Sequence, residues 1–206
     1  MVVGIIDYGA GNIFSVEQAL RDLGAVPEIV SGLTNLNDKD ALVLPGVGAF
    51  RFAMESLSAA HLDEGLREWV RLGRPLLGIC LGMQLLFDSS EEGEGVAGLG
   101  LLHGSVRRFP RESTPTVPHM GWNMVHFKKG SRLGTEDKYF YFAHSYFCNP
   151  ESDEIVAGVT YHGVSFPSIV EVPGRRLFGV QFHPEKSGPD GLELLKAFLR
   201  EASYQC

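Results

Sequence analysis

Residues 2–6, Val-Val-Gly-Ile-Ile, are apolar without alternation, the pattern of a strand buried on both faces of a parallel sheet. Further strand candidates follow at 26–30 and 41–44. Between the first two, Val16, Leu20 and Leu23 share one face of a helix predicted over 13–23, with Asn12 as its N-cap and Gly24 at its end. A helical stretch follows Phe50. A clearer amphipathic helix covers 62–72, with Leu62, Leu66, Trp69, Val70 and Leu72 as its apolar positions. The next apolar run, Leu76-Leu77-Gly78-Ile79, stops at Cys80, and helical spacing resumes at once to about Phe87. The first half therefore reads as βα units.

The texture changes after an acidic, glycine-rich stretch at 91–104, which is expected to be a surface loop. Short β-like segments follow at 105–109, 121–127, 139–142, 155–161, 168–172 and 177–182, with Pro173-Gly174 as a tight turn. A helix over 188–201 carries Leu192, Leu195, Phe198 and Leu199. No repeat, low-complexity tract or linker interrupts the chain. The expectation is one α/β domain over 1–206. Its central sheet is mostly parallel with helices on both faces, and antiparallel strands are added in the second half.

Composition narrows the function. Length allows one sizeable core. Eighteen Lys and Arg against 25 Asp and Glu give a net charge of −7, which argues against a nucleic-acid surface. Basic residues cluster only in pairs such as Arg107-Arg108 and Lys128-Lys129. No apolar run reaches the roughly 18 residues of a membrane helix, and residues 1–7 lack a signal-peptide pattern. Cys80, Cys148 and Cys206 are odd in number and far apart. They imply free thiols in a reducing, cytoplasmic setting, and neither a disulfide framework nor a zinc site.

Three places can carry chemistry. Cys80 sits where a strand gives way to a helix, between Gly78 and Gly82. A free cysteine is most often a small buried apolar residue. In open α/β sheets, however, ligand sites lie at the carboxyl ends of strands, and a helix N-terminus favours a thiolate. The second place is Gln181-Phe182-His183-Pro184-Glu185, past the last strand. A cysteine nucleophile needs a base and the base needs an orienter; in extended chain His183 and Glu185 would point the same way, whereas a lone His-x-Glu can equally be a surface pair. The third is the turn Pro45-Gly46-Val47-Gly48-Ala49-Phe50, either a plain connection or a source of exposed amides for an oxyanion.

In combination, Pro45-Gly46-Val47-Gly48, then Gly78-Ile79-Cys80-Leu81-Gly82-Met83-Gln84, then Phe182-His183-Pro184-Glu185 resemble the class I glutamine amidotransferases over nearly the whole chain. The resemblance implies a flavodoxin-like fold and a Cys80, His183, Glu185 triad that hydrolyses the glutamine side-chain amide through a thioester. It implies no cofactor. Backbone amides of Gly46 and Leu81, in a turn that includes Val47 and Gly48, would meet the oxyanion. Gln84 and Glu92 would help bind the glutamine head group, and His144-Ser145-Tyr146 would hold its carboxylate through the backbone.

Within that family, Asp7-Tyr8-Gly9-Ala10-Gly11-Asn12, Pro118-His119-Met120-Gly121-Trp122-Asn123 and Ala143-His144-Ser145-Tyr146 are similar to the glutaminase subunits of imidazole glycerol phosphate synthases, in histidine biosynthesis. Such a subunit docks on a (β/α)8-barrel synthase and passes ammonia into it. By this resemblance Asn12, Trp122, Tyr141 and Lys186 are interface or coupling positions. For Trp122 core packing is as good a reading, and for Lys186 a solvated charge. A glutaminase of another synthase (anthranilate, carbamoyl phosphate or pyridoxal phosphate), a silent binding subunit and a cysteine peptidase are the rival readings. His103, His119, His126 and His162 have no partner pattern in the sequence and read as structural.

Overall fold

A computed structural model describes residues 1–204; Cys206 lies outside the described residues. In chain order the elements are β1 (Val2–Ile6), α1 (Ile13–Asp22), β2 (Val26–Val30), β3 (Ala41–Leu44), α2 (Phe50–Ala59), α3 (Leu62–Arg71), β4 (Leu76–Ile79), α4 (Leu81–Leu85) and β5 (Phe87–Ser90). Then come β6 (Leu102–Arg108), β7 (His119–Phe127), β8 (Lys138–His144), β9 (Tyr146–Pro150), β10 (Val156–Tyr161), β11 (Ser165–Glu171), β12 (Leu177–Val180) and α5 (Gly188–Ser203).

The main sheet runs β2-β1-β3-β4-β12-β11-β10-β7-β8. The first five strands are mutually parallel and the last four alternate. The parallel part has the doubly wound order in which the loops at the carboxyl ends gather into one crevice. Its interior strands β3, β4 and β12 are buried at every position, which is why they read as unbroken apolar runs. Pro27 is tolerated in β2 because that strand is the edge.

Two cores fill the two faces. α1 and α5 bury Val16, Leu20, Leu195 and Phe198 on one side. α2 and α3 bury Phe50, Leu57, Leu66 and Trp69 on the other. Leu72 departs from its expected place: α3 ends at Arg71 and Leu72 is 55% exposed.

The antiparallel half curls back on the parallel half. The His183 N–H donates to the Tyr141 carbonyl (2.9 Å), so β8 comes beside the exit of β12 although the sheet order separates them by three strands. This curl brings the ends of β7 and β8 over the carboxyl edge of β4. A second sheet, β5-β6-β9, packs on the α4 side. It overturns part of the loop expected at 91–104: β5 precedes that stretch and β6 begins inside it, leaving only the middle as loop. No helix among the described residues is long and apolar enough to cross a membrane.

Candidate active site

β4 delivers Cys80 to the carboxyl edge, and α4 starts at the next residue. Cys80 itself adopts φ 55°, ψ −110°, a conformation costly for any side-chain-bearing residue and characteristic of functional turns. The flanking glycines give this turn room rather than its bend. Neither has a left-handed φ. A Cβ on Gly82 would overlap the Leu44 carbonyl, and one on Gly78 would lie 2.8 Å from the Gly82 backbone. Their absence of side chains lets α4 press onto β3 and β4, while the cysteine takes the strain.

β12, paired in parallel with β4, delivers His183 next to it. His183 Nδ1 lies 2.8 Å from Glu185 Oε1, and the two side chains are 4% and 1% exposed. The expected extended segment is instead a turn of 3-10 helix over Pro184–Lys186, which still returns the carboxylate to the ring. The other Glu185 oxygen is buried without a hydrogen-bond partner among the described residues, so its charge is answered mainly by His183. Burial pushes the His183 imidazolium down. Its interactions with the neighbouring Cys80 and with the Glu185 carboxylate outweigh this and raise the group to about 10. The ring is therefore a proton donor at neutral pH, already oriented by its carboxylate.

The turn after β3 closes the third side. Gly46 is packed so tightly that a Cβ there would lie 2.6 Å from the Tyr8 hydroxyl and 2.8 Å from both the Gly82 nitrogen and the Leu81 Cβ. The Gly46 and Leu81 N–H groups find no backbone acceptor among the described residues. Free amides on facing backbone segments are what an oxyanion requires.

Cys80, Leu81, His183, Val47 and Gly48 open onto one cavity of about 310 Å3. Gln84, Glu92, His144, Ser145 and Tyr146 line the same cavity, and Lys186 stands at it too. The Gln84 amide donates to the Tyr146 carbonyl (3.0 Å) and to Gln181 Oε1 (3.2 Å). Glu92 Oε2 accepts from the Phe50 N–H (3.0 Å) at the start of α2, which ties the acidic loop to the site. Asn12, Trp122 and Tyr141 do not line it. Trp122 is 58% exposed, which removes the core-packing alternative, and it meets Tyr141 edge to face at 6.2 Å. Asn12 stands at the α1 N-cap without a side-chain cap to the backbone; its side-chain Oδ1 accepts instead from the Ser15 hydroxyl.

Two residues at the site were given no role from the sequence. Gln181, fully buried, has its Nε2 3.8 Å from Cys80 Sγ; its place in the Gln-Phe-His-Pro-Glu run was the available signal. His119 is buried and within 2.9 Å of His144, where the sequence suggested an isolated structural histidine. No group of three or more His, Cys, Asp and Glu side chains among the described residues can hold a metal.

Known proteins resemble this chain over nearly its whole length. The model of the family described as glutamine amidotransferase class-I matches residues 4–202. The protein of Methanopyrus kandleri described as imidazole glycerol phosphate synthase subunit HisH is 47% identical over 204 residues, covering 98% of this chain and 100% of that one. The one so described from Moorella thermoacetica is 48% identical over 202 residues, covering 95% and 93%. Among solved structures, one titled as a glutamine amidotransferase superposes with a TM-score of 0.79 at 21% identity, covering 99% of this chain and 100% of that one. PurLQS from Thermotoga maritima gives 0.76 at 18%, covering 97% and 98%; these two bear on the fold alone. With its family model matched from Gly4 to Ala202, the chain belongs to the class-I glutamine amidotransferases.

Proposed function

We propose that residues 1–206 form one glutamine amidotransferase domain. It is the glutaminase subunit of an imidazole glycerol phosphate synthase, working in the cytoplasm with a (β/α)8-barrel synthase subunit in histidine biosynthesis. The observation that carries the reading is the convergence of Cys80, on its strained turn, and His183, held from behind by Glu185, on one cavity that Gln84, Glu92 and Ser145 also line.

The chemistry follows from the groups present. The Cys80 sulfur attacks the glutamine carboxamide carbon, and the carbonyl electron pair moves onto oxygen, where the Gly46 and Leu81 amides receive it. His183 passes its proton to the leaving nitrogen, and ammonia departs, leaving a thioester. His183 then takes a proton from water, hydroxide adds to the thioester, and Cys80 leaves as thiolate with release of glutamate. Glu185 keeps the ring oriented and balances its charge throughout. No cofactor is needed.

The rim supports a docking partner. Val47 and Met120 at the cavity, and Trp122 two residues beyond Met120 on β7, are large apolar side chains left 40–65% exposed, surface of the kind a partner covers. Asn12, Tyr141 and Lys186 complete the reading of this face as the one that meets the synthase. The turn at residues 46–48 is the element whose peptide can flip as the partner is loaded, making glutamine hydrolysis conditional.

The test is glutamate release with and without the barrel synthase and its nucleotide substrate. Hydrolysis should rise with the loaded partner. Cys80→Ala should abolish glutamine-dependent turnover and spare turnover with ammonium. Equal rates with and without partner would sink the coupling, and loss of both activities in Cys80→Ala would make that residue structural.

A further inference from the structure

A single chain of hydrogen bonds runs from Asn123 on β7 to the nucleophile. The Tyr146 carbonyl, at the cavity, accepts from His144 Nδ1 (2.7 Å). A carbonyl cannot donate, so Nδ1 of His144 carries the hydrogen and Nε2 of the neutral ring is an acceptor. That Nε2 faces His119 Nδ1 at 2.9 Å, so His119 donates there and its own Nε2 is left to accept. It accepts from Asn123 Nδ2 at 3.1 Å. The Asn123 amide orientation is set independently: Nδ2 also donates to the Tyr161 carbonyl (3.0 Å), and Oδ1 accepts from the Met124 N–H (2.8 Å). Only one assignment of hydrogens satisfies every contact.

The chain continues on the other side of Tyr146. Its carbonyl also accepts from Gln84 Nε2, whose second donor goes to Gln181 Oε1, and Gln181 Nε2 reaches Cys80 Sγ. With both amide hydrogens of Gln84 engaged, only its Oε1 is left for the cavity it lines. His119 and His144 are 4% and 6% exposed, so solvent does not substitute for these partners.

We propose that His119 is a positioning residue for the amide substrate: by donating to His144 it fixes that ring's tautomer, the Tyr146 carbonyl and hence the Gln84 amide, so that Gln84 presents an acceptor to the substrate. An acceptor suits the N–H donors of a neutral amino-acid amide. This inference rests on the glutaminase reading of the cavity and deepens it. His119 touches no substrate; its effect passes through three groups.

Two measurements test it. Nitrogen-15 NMR of the imidazoles in the whole chain should find both His119 and His144 in the Nδ1–H form; an Nε2–H form at His144 overturns the assignment without any variant. Kinetics in the complex with the barrel synthase use a pair of replacements. His119→Asn keeps an N–H near the position of Nδ1 and should stay near wild type. His119→Gln reaches the position of Nε2 but drops the donor toward His144, and should raise KM for glutamine about 10-fold with kcat within about twofold, the size of one lost hydrogen bond. Equal KM effects in the two variants would mark a packing role, and an unchanged KM in His119→Gln would overturn the inference alone. A wild type that turns over no glutamine would overturn the glutaminase reading and the inference with it.

Discussion

Tyr8 donates its phenolic hydrogen to the Pro45 carbonyl across 3.1 Å, from a site where the ring is 6% exposed. Burial, followed by the nearby Cys80 and Asp7, raises the phenol well above its ordinary range, so it remains a donor at any working pH. In a trans peptide C=O and N–H point to opposite sides, so holding the Pro45 oxygen also sets the direction of the Gly46 N–H. Tyr8→Phe should therefore lower the glutaminase kcat about 10-fold and cost roughly 1 kcal/mol of stability, the range of one buried hydrogen bond. Gly46→Ala should do more, about 100-fold or beyond, because its methyl would meet the Gly82 backbone as well as Tyr8 and displace the amide proposed to meet the oxyanion. Ammonium-dependent synthase turnover in the complex is the control; a parallel fall there would point to general damage.

Glu185→Gln keeps the shape of the His183 partner and removes its charge. A neutral partner should cost about 100-fold to 10,000-fold in kcat, the scale seen when the carboxylate of a triad is neutralised. The pH signature has a definite sign. His183 is raised in the folded state to about 10 from an ordinary 6.5, so its stabilising contribution is complete below about 6.5 and is lost as pH rises through 10. Across that window wild type should lose up to roughly 1.4 kcal/mol per pH unit from this group. Urea midpoints at pH 7, 8 and 9 should fall more steeply for wild type than for Glu185→Gln, and matching slopes would contradict the assignment.

Cys148 separates a buried thiol from a useful one. It is fully buried in β9, and burial, with Cys80 nearby, raises its thiol well above the ordinary value. A glutamine-mimicking electrophile should modify Cys80 and leave Cys148 untouched, as read by peptide mass mapping. Modification of Cys148 in the folded chain would show that burial does not protect it.

The parts of this fold that read well from sequence are those whose pattern has one physical explanation. β1, β3, β4 and β12 are buried on both faces, and the amphipathic α3 shows its stripe directly. The strand β5 was hidden because Phe87-Asp88-Ser89-Ser90 has no β-branched residue and follows the five-residue α4 with only Leu86 between them. β9 was hidden because it continues from β8 with one residue between them. At the site, Cys80, His183 and Glu185 were legible because their types and order are distinctive. His119 was not, since its partner lies 25 residues away and only the β7–β8 register, His119 opposite His144, brings the rings together. Trp122 could not be placed as core or surface until the same hairpin was seen to turn it outward.

The histidine pair also predicts acid behaviour. Burial first, then the charge of His162 on a ring stacked at 4.1 Å, lowers His119 to about 4. Burial dominates at His144 too, lowering it to about 3 against the pull of the Tyr146 carbonyl. The groups that face His119 are His144, His162, Asn123 and the rings of Phe109, Phe142 and Phe166, with no carboxylate among them. For groups lowered on folding, the unfolded chain takes up more protons, so their contribution is present above about 6.5 and is lost as pH falls toward 4 and then 3. Two such histidines cost up to roughly 2.7 kcal/mol per pH unit below about 6. Wild type should thus lose urea resistance steeply between pH 6.5 and 5, a range in which ordinary carboxylates have barely begun to titrate. His119→Asn removes one of the two groups and should remove about half of that slope. If wild type and variant lose stability in parallel, the pair is not held neutral in the native state.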